Sequence, residues 1–297
     1  MSVPFKNSYS YAVLLILTGA ILFSSKAIVV KLAYQEPIDS ISLLALRMLF
    51  SLPLFVFAGL YKKGGEKIAR RDWWYIGATG IAGFYVASYL DFLGLQYISA
   101  SLERLILYIY PTLVLLMSAI FLKKKITKIQ FISLLISYFG LAVVFSGKIT
   151  TTGNSNPILG GFLVFLAALS YAAYLVGSGQ LLPRIGTRRF TAYSMIVACF
   201  AVLLHYTLAG TESLFNFSNR VYGLAIYMAV FATFLPTFLI GEGIRILGSN
   251  TASIVSAIGP ISTILLAYFI LGEHLLIHQW VGAIIVISGV LLITLNK

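Results

Sequence analysis

Ten continuous apolar runs, each separated from the next by a short polar stretch, leave this chain few ways to fold. They lie roughly at Tyr9–Val30, Ser40–Tyr61, Trp73–Phe92, Ala100–Leu122, Ile129–Ser146, Pro157–Gly179, Phe190–Ala209, Val221–Ile240, Thr251–Leu271 and His278–Leu295. A run of about 20 apolar residues is the length of one helical crossing of a bilayer. Strands of a membrane barrel would instead alternate apolar and polar over about ten residues. In hydrocarbon the backbone must satisfy its own hydrogen bonds, so each run is expected to be a helix. Ten crossings use about two thirds of the 297 residues and leave only short connections. The expected fold is all-α and polytopic, with ten transmembrane helices. The first run is too long for a signal-peptide core and no small-residue cleavage site follows it, so it reads as an uncleaved span.

Charge agrees with this reading. Only 10% of the residues are charged, and the mean hydropathy is +0.96. About 25% charge is usual for a soluble domain. A soluble enzyme, a nucleic-acid binder and a disordered chain are excluded on that ground. The net charge of +12 does not reverse this, because the cations cluster between apolar runs. Alternating the loops puts Lys6, Lys62, Lys63, Lys67, Arg70, Arg71, Lys123, Lys124, Lys125, Lys128, Arg184, Arg188, Arg189, Arg245 and Lys297 on one side. Only Lys31, Lys148 and Arg220 fall on the other. That asymmetry predicts a multi-pass protein of the cell (inner) membrane with both termini in the cytoplasm. Trp73 and Trp74, just after Arg70 and Arg71, read as an interfacial anchor.

The chain also repeats itself at a shift of 149. Gly94 maps to Gly243, Pro111 to Pro260, Gln130 to Gln279 and Gly140 to Gly289 without a gap. A shift of 148 aligns Gly19 to Phe23 with Ala167 to Tyr171. Residues 1–148 and 157–297 then hold five spans each. Five is odd, so the second half is expected to enter the membrane upside down. The cluster Lys123, Lys124 and Lys125 corresponds to Gly272, Glu273 and His274, which carry no Lys or Arg. Inverted repeats with a site near the midplane are a transporter architecture.

The paired halves, the Pro-centred fourth and ninth spans and the run LGE…HQWVGAIIVISGVLLI from Leu271 to Ile293 carry a family resemblance. The chain resembles the EamA-type, ten-span members of the drug/metabolite transporter superfamily over nearly its whole length. The first half departs further from the pattern, with Lys124 standing where the second has Glu273. The resemblance implies two inverted bundles around a central cavity and alternating-access movement of a small solute. It does not fix the solute, since that superfamily handles amino acids, sugars, nucleotides and drugs.

Candidate site residues follow from cost. Ionisable groups in hydrocarbon are expensive and point to function. Lys26, Arg47, Asp91 and Glu103, toward the outer ends of their spans, are candidates for a gate or for proton coupling. Snorkelling to the surface is the bland alternative for Lys26 and Arg47. Arg104 shares a helical face with Tyr108 and Pro111, and its repeat-mate is Ser253. Substrate-binding candidates are therefore Arg104, Tyr108, Pro111, Tyr171, Tyr174, Ser253, Ser256 and Pro260. Adjacent Glu103 and Arg104 point about 100° apart on a helix, so Arg104 is expected to face inward and one of the two to pair with a neighbouring span. Glu242 and Arg245, three apart, are expected to pair on one helix face.

No catalytic residue suggests itself, and no G-x-x-x-x-G-K-[ST] loop is present to hold ATP. One cysteine, Cys199, and three scattered histidines suggest no metal site. The expected partners are a small-molecule solute and membrane lipids, with no cofactor and no nucleic acid; the oligomeric state stays open, a monomer included. The expected function is secondary active transport of a small organic metabolite, an amino acid or related solute, by proton coupling or exchange. A lipid-linked-sugar or phospholipid flippase and a non-transporting membrane scaffold are the alternatives.

Overall fold

The computed structural model describes residues 5–61, 68–144, 156–210, 213–271 and 277–295. Among the described residues every regular element is helical. In chain order the helices are α1 (Phe5–Ala33), α2 (Ser40–Leu60), α3 (Arg70–Gly80) and α4 (Ala87–Tyr97). Then come α5 (Ala100–Leu107), α6 (Tyr110–Leu122), α7 (Lys128–Val144), α8 (Pro157–Ile185) and α9 (Thr187–Ala209). The chain ends with α10 (Asn219–Ala229), α11 (Leu235–Val255), α12 (Ile258–Leu271) and α13 (Ile277–Leu295). Lys62, Lys63, Lys67, Lys148, Gly272, Glu273, His274, Lys297 and the side chains of Lys6 and Gln279 lie outside the described residues.

Seven helical stretches are long and apolar enough to cross a bilayer, and three shorter apolar ones accompany them, Lys128–Val143, Ile258–Ile270 and Trp280–Leu295. The stretch Asn219–Val255 runs for 37 residues. Straight, it would measure about 55 Å, far beyond the roughly 30 Å hydrocarbon core. It is not straight. Gly248 stands at φ 78, ψ 162, a conformation open to glycine and costly for residues with a Cβ. The chain turns there. Residues 249–255 therefore lead into α12, separated from it only by the turn at Ser256 and Ala257.

Several starts are capped by side chains. Asp39 accepts from the Ser42 amide at 2.6 Å, and Ser99, Asn156 and Ser218 accept from amides three residues on. Each satisfies an amide the helix leaves orphaned. At α7, Thr127 and Gln130 bond reciprocally to each other's amides, a capping box. This gives Gln130 a local role beyond marking the repeat.

Two irregularities recur at one spacing. A π-helical turn joins α3 to α4 at Ile81–Val86, and another joins α10 to α11 at Val230–Phe234; they start 149 residues apart. The α5–α6 break at Tyr108 and Ile109 lies 149 residues before Ala257 and Ile258, where α12 begins. Packing recurs as well. A Cβ on Gly94 would sit 2.7 Å from Val164 Cγ2 and 3.1 Å from the Gly160 carbonyl. A Cβ on Gly243 would press on Ile16 and lie 3.3 Å from the Ala12 carbonyl. Helix α1 packs on α11 and α12, while α8 packs on α4 and α6; α2 lies along α9, and α7 along α13. Exchanging each helix for the one half a chain away maps this set of contacts onto itself.

Exposure is inverted relative to a water-soluble protein. Phe57, Phe121, Phe139, Leu204 and Ile284 are each more than 60% exposed. Lys26 is 3% exposed, Asp91 1%, Arg104 6%, and Arg47 and Glu103 0%. A surface of large apolar side chains around a charged interior fits a lipid solvent. The snorkelling alternative for Lys26 and Arg47 is thereby set aside. Lys26 lies seven residues inside the end of α1, about 10 Å at 1.5 Å per residue, and its ammonium turns inward.

Candidate functional site

The charged interior opens onto a cavity between α1, α4, α5, α6, α8, α11, α12 and the first π turn. Its wall includes Phe23, Ser24, Lys26, Gly83, Ser88, Asp91, Arg104, Tyr108, Tyr110, Tyr171, Ser256 and Pro260. The cavity volume is about 60 Å³.

Local chain geometry decides which side chains reach it. Helix α5 is only two turns long and starts from the Ser99 cap. Its short run puts Arg104 and Leu107 on the cavity side, and the break then places Tyr108 and Tyr110 in the wall. The π turn bulges the backbone at Gly83. A Cβ there would lie 2.7 Å from the Tyr174 Cβ, so only glycine lets α8 come this close. Ser170 on α8 donates to the Ala82 carbonyl within the same turn, at 2.8 Å.

The electrostatics are concentrated at one end. Lys26 Nζ lies 2.6 Å from Asp91 Oδ2, and Arg104 Nε lies 2.9 Å from Glu103 Oε2. Asp91 on α4 and Glu103 on α5 thus belong to one buried cluster with Lys26 and Arg104. Lys26 also sits over Phe23 at 4.9 Å and Phe92 at 5.9 Å. Arg47 lies behind the wall. It donates to Ser88 Oγ at 3.3 Å and stacks over Phe92 at 5.3 Å. Stacking on ring faces offsets part of the cost of burying these cations.

Rings line the rest. Tyr171 packs on Phe23 at 6.3 Å, edge-on to Tyr110 at 5.3 Å, and against Tyr174 at 5.7 Å. Tyr108 stands edge-on to Tyr110 and Tyr138, both at 5.9 Å. Tyr110 Oη reaches the Ser253 carbonyl at 3.4 Å.

Of the sequence-predicted residues, Lys26, Asp91, Arg104, Tyr108, Tyr171, Ser256 and Pro260 meet in this wall. Arg47 and Glu103 do not line it and contact the residues that do. Three of the substrate-binding candidates lie outside this wall. Pro111 is buried in the first turn of α6, just past the break, and does not line the wall. Tyr174 lies one turn away, packed on Phe84 at 4.7 Å. Ser253 turns its hydroxyl to the Asn250 carbonyl at 2.8 Å. Glu103 and Arg104 pair with each other, and Glu103 also meets Asp91 on α4. Glu242 and Arg245 pair as expected, and Thr187 joins them.

Sequence reasoning missed Tyr110, Gly83, Ser24 and Ser88 as wall residues. Tyr110 stood beside the repeated proline, a usable signal; the others had none. It also missed Asp72, which holds Arg184 at 3.0 Å and ties α3 to α8 at the opposite end from Lys26. Among the described residues, no three His, Cys, Asp or Glu side chains cluster as a metal site would.

Comparison with known proteins agrees with this geometry. The sequence profile of the EamA-like transporter family matches twice, over residues 10–146 and 158–295. The uncharacterized transporter YcbK of Bacillus subtilis is 33% identical over 276 residues, 90% of this chain and 87% of that one. YyaM of the same organism, also an uncharacterized transporter, is 28% identical over 71% of this chain and 70% of its own length. The uncharacterized inner membrane transporter YicL of Salmonella typhimurium is 25% identical over 95% of this chain and 94% of its own. One crystal structure superposes with a TM-score of 0.78 at 17% identity, covering 96% of this chain and 97% of that chain. That last likeness is one of fold alone.

Proposed function

The chain belongs to the EamA-like transporter family, and from that premise we propose that it moves a small organic metabolite, an amino acid or related solute, across the cytoplasmic membrane by alternating access. Ten spans in two inverted repeats, 1–148 and 157–297, with both termini in the cytoplasm, form the machine. The observation that carries this reading is the small cavity, charged at one end and lined by rings elsewhere, where two interrupted helices, α5–α6 and α11–α12, converge. Interrupted helices at matching points of two halves are the usual pointer to a transporter site. The π turns 149 residues apart and the exchange-symmetric packing support the inverted repeat. Matched weak points in two halves give the rocking motion its hinges, because π turns mark places where a helix can change register.

Asp91 and Glu103 are the groups proposed to carry coupling, by proton transfer or by exchange. Flux of radiolabelled amino acids into proteoliposomes, with and without a pH gradient, tests both parts. A saturable flux that falls when the gradient is collapsed is expected. A gradient-independent flux removes proton coupling and leaves exchange. No flux for any member of an amino-acid panel removes that solute class.

The inverted topology has its own test. Single cysteines replacing Lys124 and Glu273, in a Cys199→Ser background, should label from opposite faces of intact cells with a membrane-impermeant maleimide. Labelling from the same face would overturn the inverted repeat.

A further inference from the structure

We infer that the cavity selects a small organic anion, one carboxylate or comparable oxyanion on a flat apolar body, docked on Arg104 and Tyr108. The inference depends on the transport reading only in taking this cavity as the place where solute binds.

Charge is unbalanced in the cluster. Three cations, Lys26, Arg47 and Arg104, stand against two carboxyls, Asp91 and Glu103, and all five are at least nine-tenths buried. Lys31, the next nearest cation, spends its ammonium on the Leu95 carbonyl at 2.6 Å. The cluster thus holds one more cationic than acidic side chain. A buried cation without an anion costs several kcal/mol. A bound anion removes that cost, while a bound cation adds to it.

Hydrogen bonding points the same way. Arg104 Nη2 and Tyr108 Oη are buried and make no hydrogen bond, and both residues line the cavity. Both are donors suited to an oxyanion. The carboxylates close by each face a cation: Asp91 Oδ2 lies 2.6 Å from Lys26 Nζ and Glu103 Oε2 lies 2.9 Å from Arg104 Nε. The hydroxyls of Ser24 and Ser256 bond back to the carbonyls of Ala20 and Ala252. An incoming anion therefore meets unused donors beside surplus cationic groups, and an incoming ammonium meets carboxylates that already face Lys26 and Arg104 at ion-pair distance.

Size and wall chemistry set the rest of the ligand. A cavity volume of about 60 Å³ suits a small solute. Phe23, Tyr110 and Tyr171 present rings to that volume, which suits a flat apolar body. The acyl chains of a diacyl lipid do not fit so small a chamber, so the anion is taken to be a free solute and the lipid arm of the test checks a headgroup.

The test is binding to the full-length protein purified in a zwitterionic detergent, read by thermal shift and calorimetry. The probes are sodium benzoate, sodium butyrate and inorganic phosphate, with benzamide and benzylamine as the neutral and cationic counterparts of benzoate. Saturable stabilisation by at least one anion is expected, with benzoate at least tenfold tighter than benzamide and benzylamine. Tyr108→Phe, which removes one hydroxyl, should weaken the anion about tenfold or more and leave the unliganded melting temperature near wild type. Arg104→Gln should abolish it. If Arg104→Gln does not fold, Tyr108→Phe decides alone. Benzamide or benzylamine matching the anions, no anion stabilising, or Tyr108→Phe binding like wild type would each overturn the inference. Loss of benzoate binding on adding phosphatidylglycerol would assign the donors to a lipid headgroup and overturn the free-solute claim. A saturable anion site with no flux in proteoliposomes would count against the transport reading alone.

Discussion

Replacing Asp91 with leucine is expected to abolish transport and to destabilise the protein by about 3–5 kcal/mol, the usual cost of removing one member of a buried ion pair. Asp91 is 1% exposed and holds Lys26 at 2.6 Å. Its loss strands the Lys26 ammonium between the rings of Phe23 and Phe92, beside Arg47 and Arg104. The double variant Lys26→Met, Asp91→Leu removes both charges and fills much the same volume. Such replacements are often neutral or stabilising, so its melting temperature should return toward wild type while transport stays lost. Thermal unfolding in detergent and flux in proteoliposomes, measured on the same preparations, read the two effects separately. Wild-type flux in the double variant would remove the pair from the transport cycle.

Gly140→Val and Gly289→Val are expected to be the next most damaging substitutions, each costing at least the roughly 1–3 kcal/mol of an overpacked interior. Both glycines lie where α7 and α13 run together. A Cβ on Gly140 would sit 2.7 Å from the Val286 amide nitrogen and 2.8 Å from the Gly282 carbonyl. A Cβ on Gly289 would sit 2.9 Å from the Ser133 carbonyl and 2.7 Å from Ser137 Oγ. Most of these neighbours are backbone, which cannot rotate away, so the helices must separate. Close approach through small residues is much of what holds membrane helices together. Gly77→Ala is the control, since nothing lies within 4 Å of the added carbon. It should leave stability unchanged or raise it by up to about 1 kcal/mol. Equal melting temperatures for Gly140→Val and Gly77→Ala would refute the argument.

The glycines show how legible the packing was. Gly94, Gly140, Gly243 and Gly289 stood out only as matches in a repeat, and each turns out to be a place where another helix comes too close for a side chain. The charges were legible in part. Their cost in hydrocarbon marked Lys26, Arg47, Asp91, Glu103 and Arg104 from the sequence. Which of them pair, and which reach the cavity, was not legible, because partners 65 residues apart meet only through packing. The tyrosines were the least legible. Tyr171 and Tyr174 are three apart and share a helical face, yet one lines the cavity and the other packs against Phe84.

Two kinds of information separate here. The sequence by itself determined the all-helical class, the membrane solvent and the repeat, because hydrophobic length, charge placement and spacing are properties of the chain read in one dimension. The tertiary structure alone decided the wall of the cavity. Helical periodicity predicts a common face only while the helix is unbroken. The breaks at Tyr108 and Ser256, the turn at Gly248 and the π turn at Ile81 each rotate the next helical segment by an amount that no periodicity encodes. Arg104, before such a break, lines the cavity, and Pro111, just after it, lies buried outside the wall.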